Sequence, residues 1–259
     1  MLRKIGNFFK NSFTNTIPIL PEHFLHRLED DKETLNQIIQ TISSYVKFEQ
    51  DNFFLESDND FYNKSPHLQA QIIQNKIGLS SIYCPIKFDR GGVLNNPAGK
   101  FVQKTGYNPS FDIERETLLW ERNNKPKLEI EISSKFKDNP IIIGGILSHE
   151  LTHLYFHSKG LSKLFPNTQI EEKCCDLTMF ILGLGKLVIN SFSQDVAYQD
   201  NNRMITMTLD YYLPWYYLCY IYEKVNIINA IPEELSKSNL REGAIEKIAV
   251  IKQYRELFK

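Results

Sequence analysis

The sequence predicts an α+β fold, in which a small, mainly antiparallel sheet is followed by a mostly helical C-terminal half. Three observations lead to this prediction. Apolar residues recur near helical spacing in the first part of the chain, short apolar runs alternate with turn residues in the middle, and helical patterns return after Asn139. The chain has 259 residues, 42% hydrophobic and 24% charged, which is typical of an ordinary globular protein.

The N-terminal part predicts a tail followed by a helical extension. Leucines and isoleucines near helical spacing predict a helix over residues 21 to about 50, and the polar stretch 56–66 is interpreted as a linker. Ser65 and Pro66 then form a cap-and-proline start for a helix that ends at Gly78. We therefore divide the chain into an N-terminal tail and extension over residues 1–64 and a main domain over residues 65–259.

The strands are expected in the middle of the chain. Short runs such as "CPIKFD", "GKFVQKTG" and "KLEIEIS" are separated by turn residues such as Gly91-Gly92 and Asn123-Asn124. The run "LEIEI", residues 128–132, alternates apolar and acidic residues, which predicts a strand with one buried face.

The helical half begins at Asn139, a plausible N-cap followed by proline at the first helical position. The pattern predicts helices over about 140–158, ended by Gly160, and over about 168–182. An aromatic-rich helical pair broken at Pro214 and a closing amphipathic helix complete the prediction.

Charge and cysteine content limit the kinds of partner and compartment. The formal net charge of −1 gives no electrostatic reason to expect a nucleic-acid partner. The four cysteines form no CxxC pair, so we expect a reducing compartment and a cytoplasmic protein rather than a disulfide framework. The chain has no run of roughly 18 apolar residues, so we expect no transmembrane segment. The oligomeric state is left open.

The stretch "SHELTHLYFH" contains the strongest functional signal. His149 and His153 are four residues apart, so on a helix both imidazoles project from one face and can bind one metal ion. Glu150 follows the first histidine and can reach a zinc-bound water as a general base without being a ligand. The flanking residues are apolar nearly all round, so the helix is expected to be buried and its polar groups to need partners. We therefore predict a zinc site here.

A second cluster lies on the next predicted helix, after a loop of about nine residues. "IEEKCCD" places Glu172 where it can face the histidine pair and Asp176 one turn later. Glu171 is interpreted as an exposed acid at the helix start. Cys174 and Cys175 are interpreted as small buried residues rather than ligands.

These residues resemble the gluzincin metallopeptidases, the clan that includes thermolysin-like proteases. The resemblance covers about 50 residues, and the segment after Asp176 is also similar to uncharacterised bacterial HExxH proteins. It implies that His149, His153 and Glu172 bind zinc, that Asp176 orients a ligating imidazole, and that Glu150 is catalytic. It further implies a zincin-like metallopeptidase domain over residues 65–259, with a peptide or protein as substrate. The strand "LEIEIS" is expected to be the edge strand that binds extended peptide.

Other features keep alternatives open. The Gly-x-Met-Glu-Asn exopeptidase motif is absent, so aminopeptidase activity is not supported. His157 is interpreted either as a spare ligand or as a helix-end histidine. The sequence does not select the residue that stabilises the oxyanion; the candidates are Tyr198, Arg203, Tyr211 and Tyr212. The alternative function is a zinc-binding regulatory or structural protein without general protease activity, and a closed fourth ligand would favour it.

Overall fold

The fold is described from a computed structural model. The described residues are 36, 42, 46, 58–89, 99–104, 110–112, 117–119, 127–164, 168–193, 195–200 and 203–254. Most of the predicted tail and of the predicted helix over 21–50 therefore lies outside the described residues, and the proposed division at residue 64 stays a prediction.

Among the elements with described bounds, two helices precede the sheet. Helix α1 spans Asp58–Tyr62, and helix α2 spans Pro66–Lys76. The interpretation of residues 56–66 as a linker is therefore wrong over α1, whose Phe61 is only 1% exposed and buries its ring in the core. The start of α2 is as predicted, because the Ser65 side chain accepts a hydrogen bond from the backbone N–H of Leu68 at 3.4 Å.

The sheet beside the central helix has three strands in the order β1-β5-β2: β1 (Ile86–Phe88), β2 (Gly99–Lys104) and β5 (Lys127–Ile132). Strand β1 pairs with β5 in parallel, and β2 pairs with β5 antiparallel. Strands β3 (Ser110–Asp112) and β4 (Thr117–Leu119) form a separate two-stranded sheet. The α+β class is confirmed, but the prediction of one small, mainly antiparallel sheet is not borne out. Short strands that follow one another in the sequence favour pairing between neighbours in hairpins. Here β1 pairs instead with β5, some forty residues later in the sequence.

Strand β5 lies in the middle of this sheet and is not an edge strand. Leu128, Ile130 and Ile132 are buried on one face, as the alternation predicts. The expectation that this segment binds extended peptide along a free edge is wrong, because both of its edges are paired. Among the described strands, β2 is the edge strand that reaches the central helix, since Gly99 lies against it.

The central helix α3 spans Pro140–Lys159 and is buried over most of its length. Asn139 caps its start by accepting a hydrogen bond from the backbone N–H of Ile142 at 3.1 Å. Gly160 ends it in the left-handed conformation, with φ 68°. Both ends were predicted from the sequence, and the helix places residues 149, 150 and 153 inside the protein.

Helices α4 (Thr168–Ile181) and α5 (Gly185–Phe192) pack against α3. Gly183, with φ 79°, separates them. Within the described ranges no single helix is both long and apolar enough to cross a membrane; one bent pair, Ile170–Ile181 with Gly185–Phe192, meets the length and composition test together, with a bend of 115°.

After α5, the elements that the structure describes are a hairpin and three helices. Strands β6 (Asp195–Asp200) and β7 (Arg203–Thr208) form an antiparallel pair, which the prediction of a mostly helical half missed. Helix α6 (Trp215–Ile228) is followed by α7 (Glu233–Lys237) and α8 (Glu242–Tyr254).

The predicted helical pair around Pro214 is half wrong. Pro214 precedes the first residue of α6, and its φ of −59° suits a helix start. Residues 209–213, which precede it, form a loop rather than a helix. The proline ring disfavours helical backbone at the residue directly before it, here Leu213. We call residues 209–213 the tyrosine loop, because it contains Tyr211 and Tyr212.

Candidate metal centre

Three donor atoms converge between α3 and α4. His149 Nε2 lies 3.1 Å from His153 Nε2, and Glu172 Oε2 lies 3.0 Å and 2.9 Å from these two nitrogens. Among the described residues, these three side chains form a group that could hold a metal ion. The structure thus brings together the three residues that the sequence predicted as ligands.

The secondary structure explains this convergence. His149 and His153 are one turn apart on α3, and their rings meet edge to face with centroids 4.8 Å apart. Helix α4 follows α3 after a short connection and packs beside it, which presents Glu172 to both imidazoles. The three donors are therefore held by two packed helices and not by loops.

Asp176 lies behind His149, as predicted. Its side chain is fully buried, and His149 Nδ1–H donates a hydrogen bond of 3.0 Å to Asp176 Oδ1. The second carboxylate oxygen accepts a 2.7 Å hydrogen bond from the backbone N–H of Leu213. Asp176 therefore holds both a candidate ligand and the tyrosine loop.

Cys175 lies behind His153, and the sequence interpretation missed this contact. Cys175 Sγ is 3.3 Å from His153 Nδ1, and both Cys174 and Cys175 are buried. Helical spacing could have indicated this contact, because Cys175 and Asp176 follow Glu172 by three and four residues and therefore lie on the same face of α4. Burial, together with nearby carboxylates, raises the pKa of the Cys175 thiol well above its ordinary value.

The charges of the cluster are strongly coupled in the metal-free protein. Burial lowers the pKa of His149, but hydrogen bonds with Asp176 and Glu172 outweigh it and raise that pKa to about 10. Burial raises the pKa of Glu172, but the hydrogen bonds with the two imidazoles outweigh it and lower that pKa to about 2. Without a metal, a protonated His149 between the carboxylates of Asp176 and Glu172 thus holds these side chains together.

The donor set fits a zinc ion. When both imidazoles carry their proton on Nδ1, the lone pairs of two nitrogens and one carboxylate oxygen face a common point, and a cation there relieves their repulsion. Zinc–nitrogen bonds of roughly 2.0–2.1 Å give a tetrahedral edge of about 3.3 Å. The observed donor separations, 2.9 to 3.1 Å, are close to that edge. Two histidines and one carboxylate are also a ligand set found in catalytic zinc sites.

Glu150 lies beside this centre, at the position that the sequence predicted. Its side chain is only 5% exposed and lines the same cleft as the three donors. Gly99 of β2 packs directly against it, since a Cβ at Gly99 would lie 2.9 Å from Glu150 Oε1 and 2.3 Å from Ile146 Cγ2. The absence of a side chain at position 99 therefore gives β2 its close approach to α3.

The centre opens into a cleft of about 800 Å³. Acidic residues and histidines dominate the described residues that line it, and no lysine or arginine is among them. The lining residues are Asp89, Gly99, Glu131, Ser133, Ile146, His149, Glu150, His153, His157, Thr168, Glu171, Glu172, Leu209, Asp210, Tyr211 and Tyr212.

The tyrosine loop forms one wall of the cleft. The ring of Tyr212 stacks on the imidazole of His149, with centroids 5.9 Å apart and an interplanar angle of 17°, and is 52% exposed. The hydroxyl of Tyr211 shares a 2.8 Å hydrogen bond with Ser191 Oγ. Burial raises the pKa of both phenols, so both stay neutral at physiological pH. The side chains of Tyr198 and Arg203, the other predicted candidates, lie outside the described side chains.

His157 and Glu171 line the cleft but are not members of the three-residue group. Burial lowers the pKa of His157, although nearby Glu171 raises it. Glu171 is half-buried rather than fully exposed.

No protein-family model matches this chain, and no curated protein or solved structure matches it either. The function is therefore inferred from the geometry of the site.

Proposed function

We propose that this protein is a zinc-dependent metallopeptidase of gluzincin-like design, which hydrolyses peptide bonds. The observation that carries the proposal is the convergence of His149 Nε2, His153 Nε2 and Glu172 Oε2 within 3.1 Å of one another in the cleft that Glu150 lines. Among the described residues, one such group is found, and it offers three possible ligand atoms. Structural zinc sites bind through four protein ligands, whereas catalytic sites use three and leave a position open.

A bound zinc ion would act as a Lewis acid toward water and the substrate carbonyl. The protein's own residues supply the rest of the chemistry. Glu150 takes a proton from the attacking water and then delivers it to the leaving amine, which requires a carboxylate beside the metal ligands but not among them. The position of Glu150 supports this role, since its largely buried side chain lines the same cleft as the three donor atoms.

The substrate is proposed to be a peptide segment that binds in extended form. Strand β2 is an edge strand among the described strands, and Gly99 places its first residue against Glu150. Backbone groups on a free strand edge can pair with an extended peptide. The cleft volume of about 800 Å³ is within the usual range for ligand sites and suits a few side chains. The stacked ring of Tyr212 supplies an apolar wall.

The alternative, a zinc-binding regulatory or structural protein, has no need of Glu150 at this position.

The experiment that tests the proposal measures two properties of the purified protein: its zinc content, by elemental mass spectrometry, and its turnover of a mixed peptide library. One zinc per chain is expected in the wild type. His153→Ala and Glu172→Ala are expected to lose most of it, because each removes one of three ligands.

Glu150→Gln separates the two functions. The amide keeps the shape of the side chain but cannot take a proton, so we expect zinc content to be unchanged and turnover to fall by roughly a hundredfold or more. Glu131→Gln is the matched control, because it removes the same charge from the same cleft at an exposed position. Retained turnover in Glu150→Gln would contradict the mechanism. A wild type with zinc but no turnover on any peptide would favour the regulatory or structural alternative.

A further inference from the structure

The two candidate imidazole ligands are held from behind by different chemical groups. Asp176, a buried carboxylate, accepts from His149, while Cys175, the residue before it, contacts His153. A metal-binding imidazole needs its second nitrogen held, because this fixes both the tautomer and the direction of the ring. Carboxylates, backbone carbonyls and water are the usual partners for that nitrogen. A thiol in this position is a distinctive feature of the chain.

We propose that Cys175 is the positioning residue of His153: its Sγ atom accepts a hydrogen bond from His153 Nδ1–H and thereby directs the Nε2 atom to the metal. The 3.3 Å contact and the complete burial of Cys175 carry the inference. A neutral imidazole has one N–H and one lone pair, so a proton held on Nδ1 leaves the lone pair on Nε2. The inference rests on the proposed zinc site.

The geometry separates this role from metal binding by the thiol itself. Sγ lies against Nδ1, which is on the opposite side of the ring from the nitrogen that faces Glu172. The thiol and Nε2 therefore cannot bind the same ion without rotation of His153. The group of possible ligands among the described residues contains neither Cys174 nor Cys175.

The face of α4 explains how one helix supplies all three groups. Glu172, Cys175 and Asp176 occupy positions i, i+3 and i+4, so all three side chains meet α3. Sulfur is a weak hydrogen-bond acceptor, whereas a carboxylate is a strong one. We therefore expect His153 to be held less firmly than His149, and the loss of Cys175 to weaken zinc binding without abolishing it.

The test compares zinc affinity, measured by competition with a chelator, in the full-length wild type, Cys175→Ala, Cys175→Ser and Cys174→Ala. Cys174→Ala is the matched control, because it removes the same sulfur from a buried position of the same helix. We expect the zinc Kd of Cys175→Ala to rise by roughly 10- to 100-fold, the range typical of lost outer partners. Cys174→Ala is expected to keep the wild-type Kd, and serine, whose oxygen also accepts a hydrogen bond, to restore much of the affinity.

Two readouts other than activity protect the test from a simple folding defect. In zinc-loaded wild type, nitrogen NMR is expected to show the proton of His153 on Nδ1. Cobalt-substituted wild type is expected to lack thiolate-to-cobalt charge-transfer absorption. Equal zinc Kd values for Cys175→Ala and Cys174→Ala would overturn the inference, as would a His153 protonated on Nε2. Charge-transfer absorption that disappears in Cys175→Ser would make Cys175 a ligand and also overturn it.

Failure of the proposed function is distinguishable from failure of this inference. A wild type that binds no zinc overturns the metal site, and the role of Cys175 falls with it. A wild type that binds zinc, with Cys175→Ala unchanged, overturns only the role of Cys175.

Discussion

Replacing Asp176 by asparagine tests whether one buried carboxylate supports both the metal ligand and the tyrosine loop. In the wild type its two oxygens accept from two different donors, His149 Nδ1–H at 3.0 Å and the backbone N–H of Leu213 at 2.7 Å. A carboxamide has the same shape but only one acceptor oxygen. Either one of the two N–H groups then faces an NH₂ group with no acceptor in this buried site, or His149 must give up its proton on Nδ1 and turn that lone pair to the NH₂ group.

The magnitude follows from these two contacts. A buried N–H without an acceptor costs about 1–3 kcal/mol of folding free energy. For a chain of this size, we expect a fall in Tm of the metal-free protein by roughly 2–12 °C. If the imidazole of His149 is the group that loses its acceptor, zinc affinity falls by roughly 10- to 100-fold as well. The loss in zinc binding would then be about 1.4–2.8 kcal/mol.

The assay is thermal unfolding with excess chelator and with excess zinc, together with zinc competition. Asp210→Asn is the control, since it removes a carboxylate from the same cleft and from the tyrosine loop itself at an exposed position. We expect Asp210→Asn to behave like the wild type in both measurements. Equal Tm and equal zinc affinity for the two variants would refute the reasoning, because the buried carboxylate would then support neither group.

Two further predictions concern the base and the charge of the cluster. Gly99→Ala is expected to lower turnover while zinc content stays constant, because the new Cβ would lie 2.3 Å from Ile146 Cγ2 and 2.9 Å from Glu150 Oε1; a fall in zinc content would contradict this. The increase in Tm that zinc causes is also expected to become larger as pH rises from 6.5 toward 10. The raised pKa of His149 stabilises the metal-free fold fully below pH 6.5, and this stabilisation is lost over that interval. Below pH 4.5 the metal-free fold is expected to lose the contribution of Glu172, whose pKa is lowered to about 2. A zinc-induced change in Tm that is independent of pH would contradict the assigned proton.

The parts of the site that the sequence predicted are those fixed by local rules. Asn139 and Gly160 mark the ends of α3 through capping chemistry, which depends on neighbouring residues alone. The four-residue spacing of His149 and His153 then determines their common face. Glu172 needed one further step, the short connection between two helices, and this step also succeeded.

The parts that the sequence did not predict depend on contacts between distant segments. The parallel pairing of β1 with β5 joins Ile86 to Ile130, and no local pattern distinguishes it from a hairpin. Helix α1 looks like a polar linker because its acids and amides outnumber its apolar residues, yet burial of Phe61 beneath Gly144 determines its structure. The role proposed for Cys175 was missed because the sequence does not distinguish a buried cysteine that only packs from one that also forms a hydrogen bond.

The tyrosine loop shows how the packing of remote residues determines the wall of the cleft. Besides Asp176, its second described anchor is the hydrogen bond between Tyr211 and Ser191 on α5. A Cβ at Gly145 would lie 2.2 Å from Ser191 Oγ and 2.6 Å from the Tyr211 hydroxyl, so α3, α5 and the loop meet at this glycine. Gly145 is four residues before His149 and therefore lies on the same face of α3. The face that presents the candidate ligands thus also sets the position of the aromatic wall, so a change in how α5 packs on α3 would alter the cleft without touching a ligand.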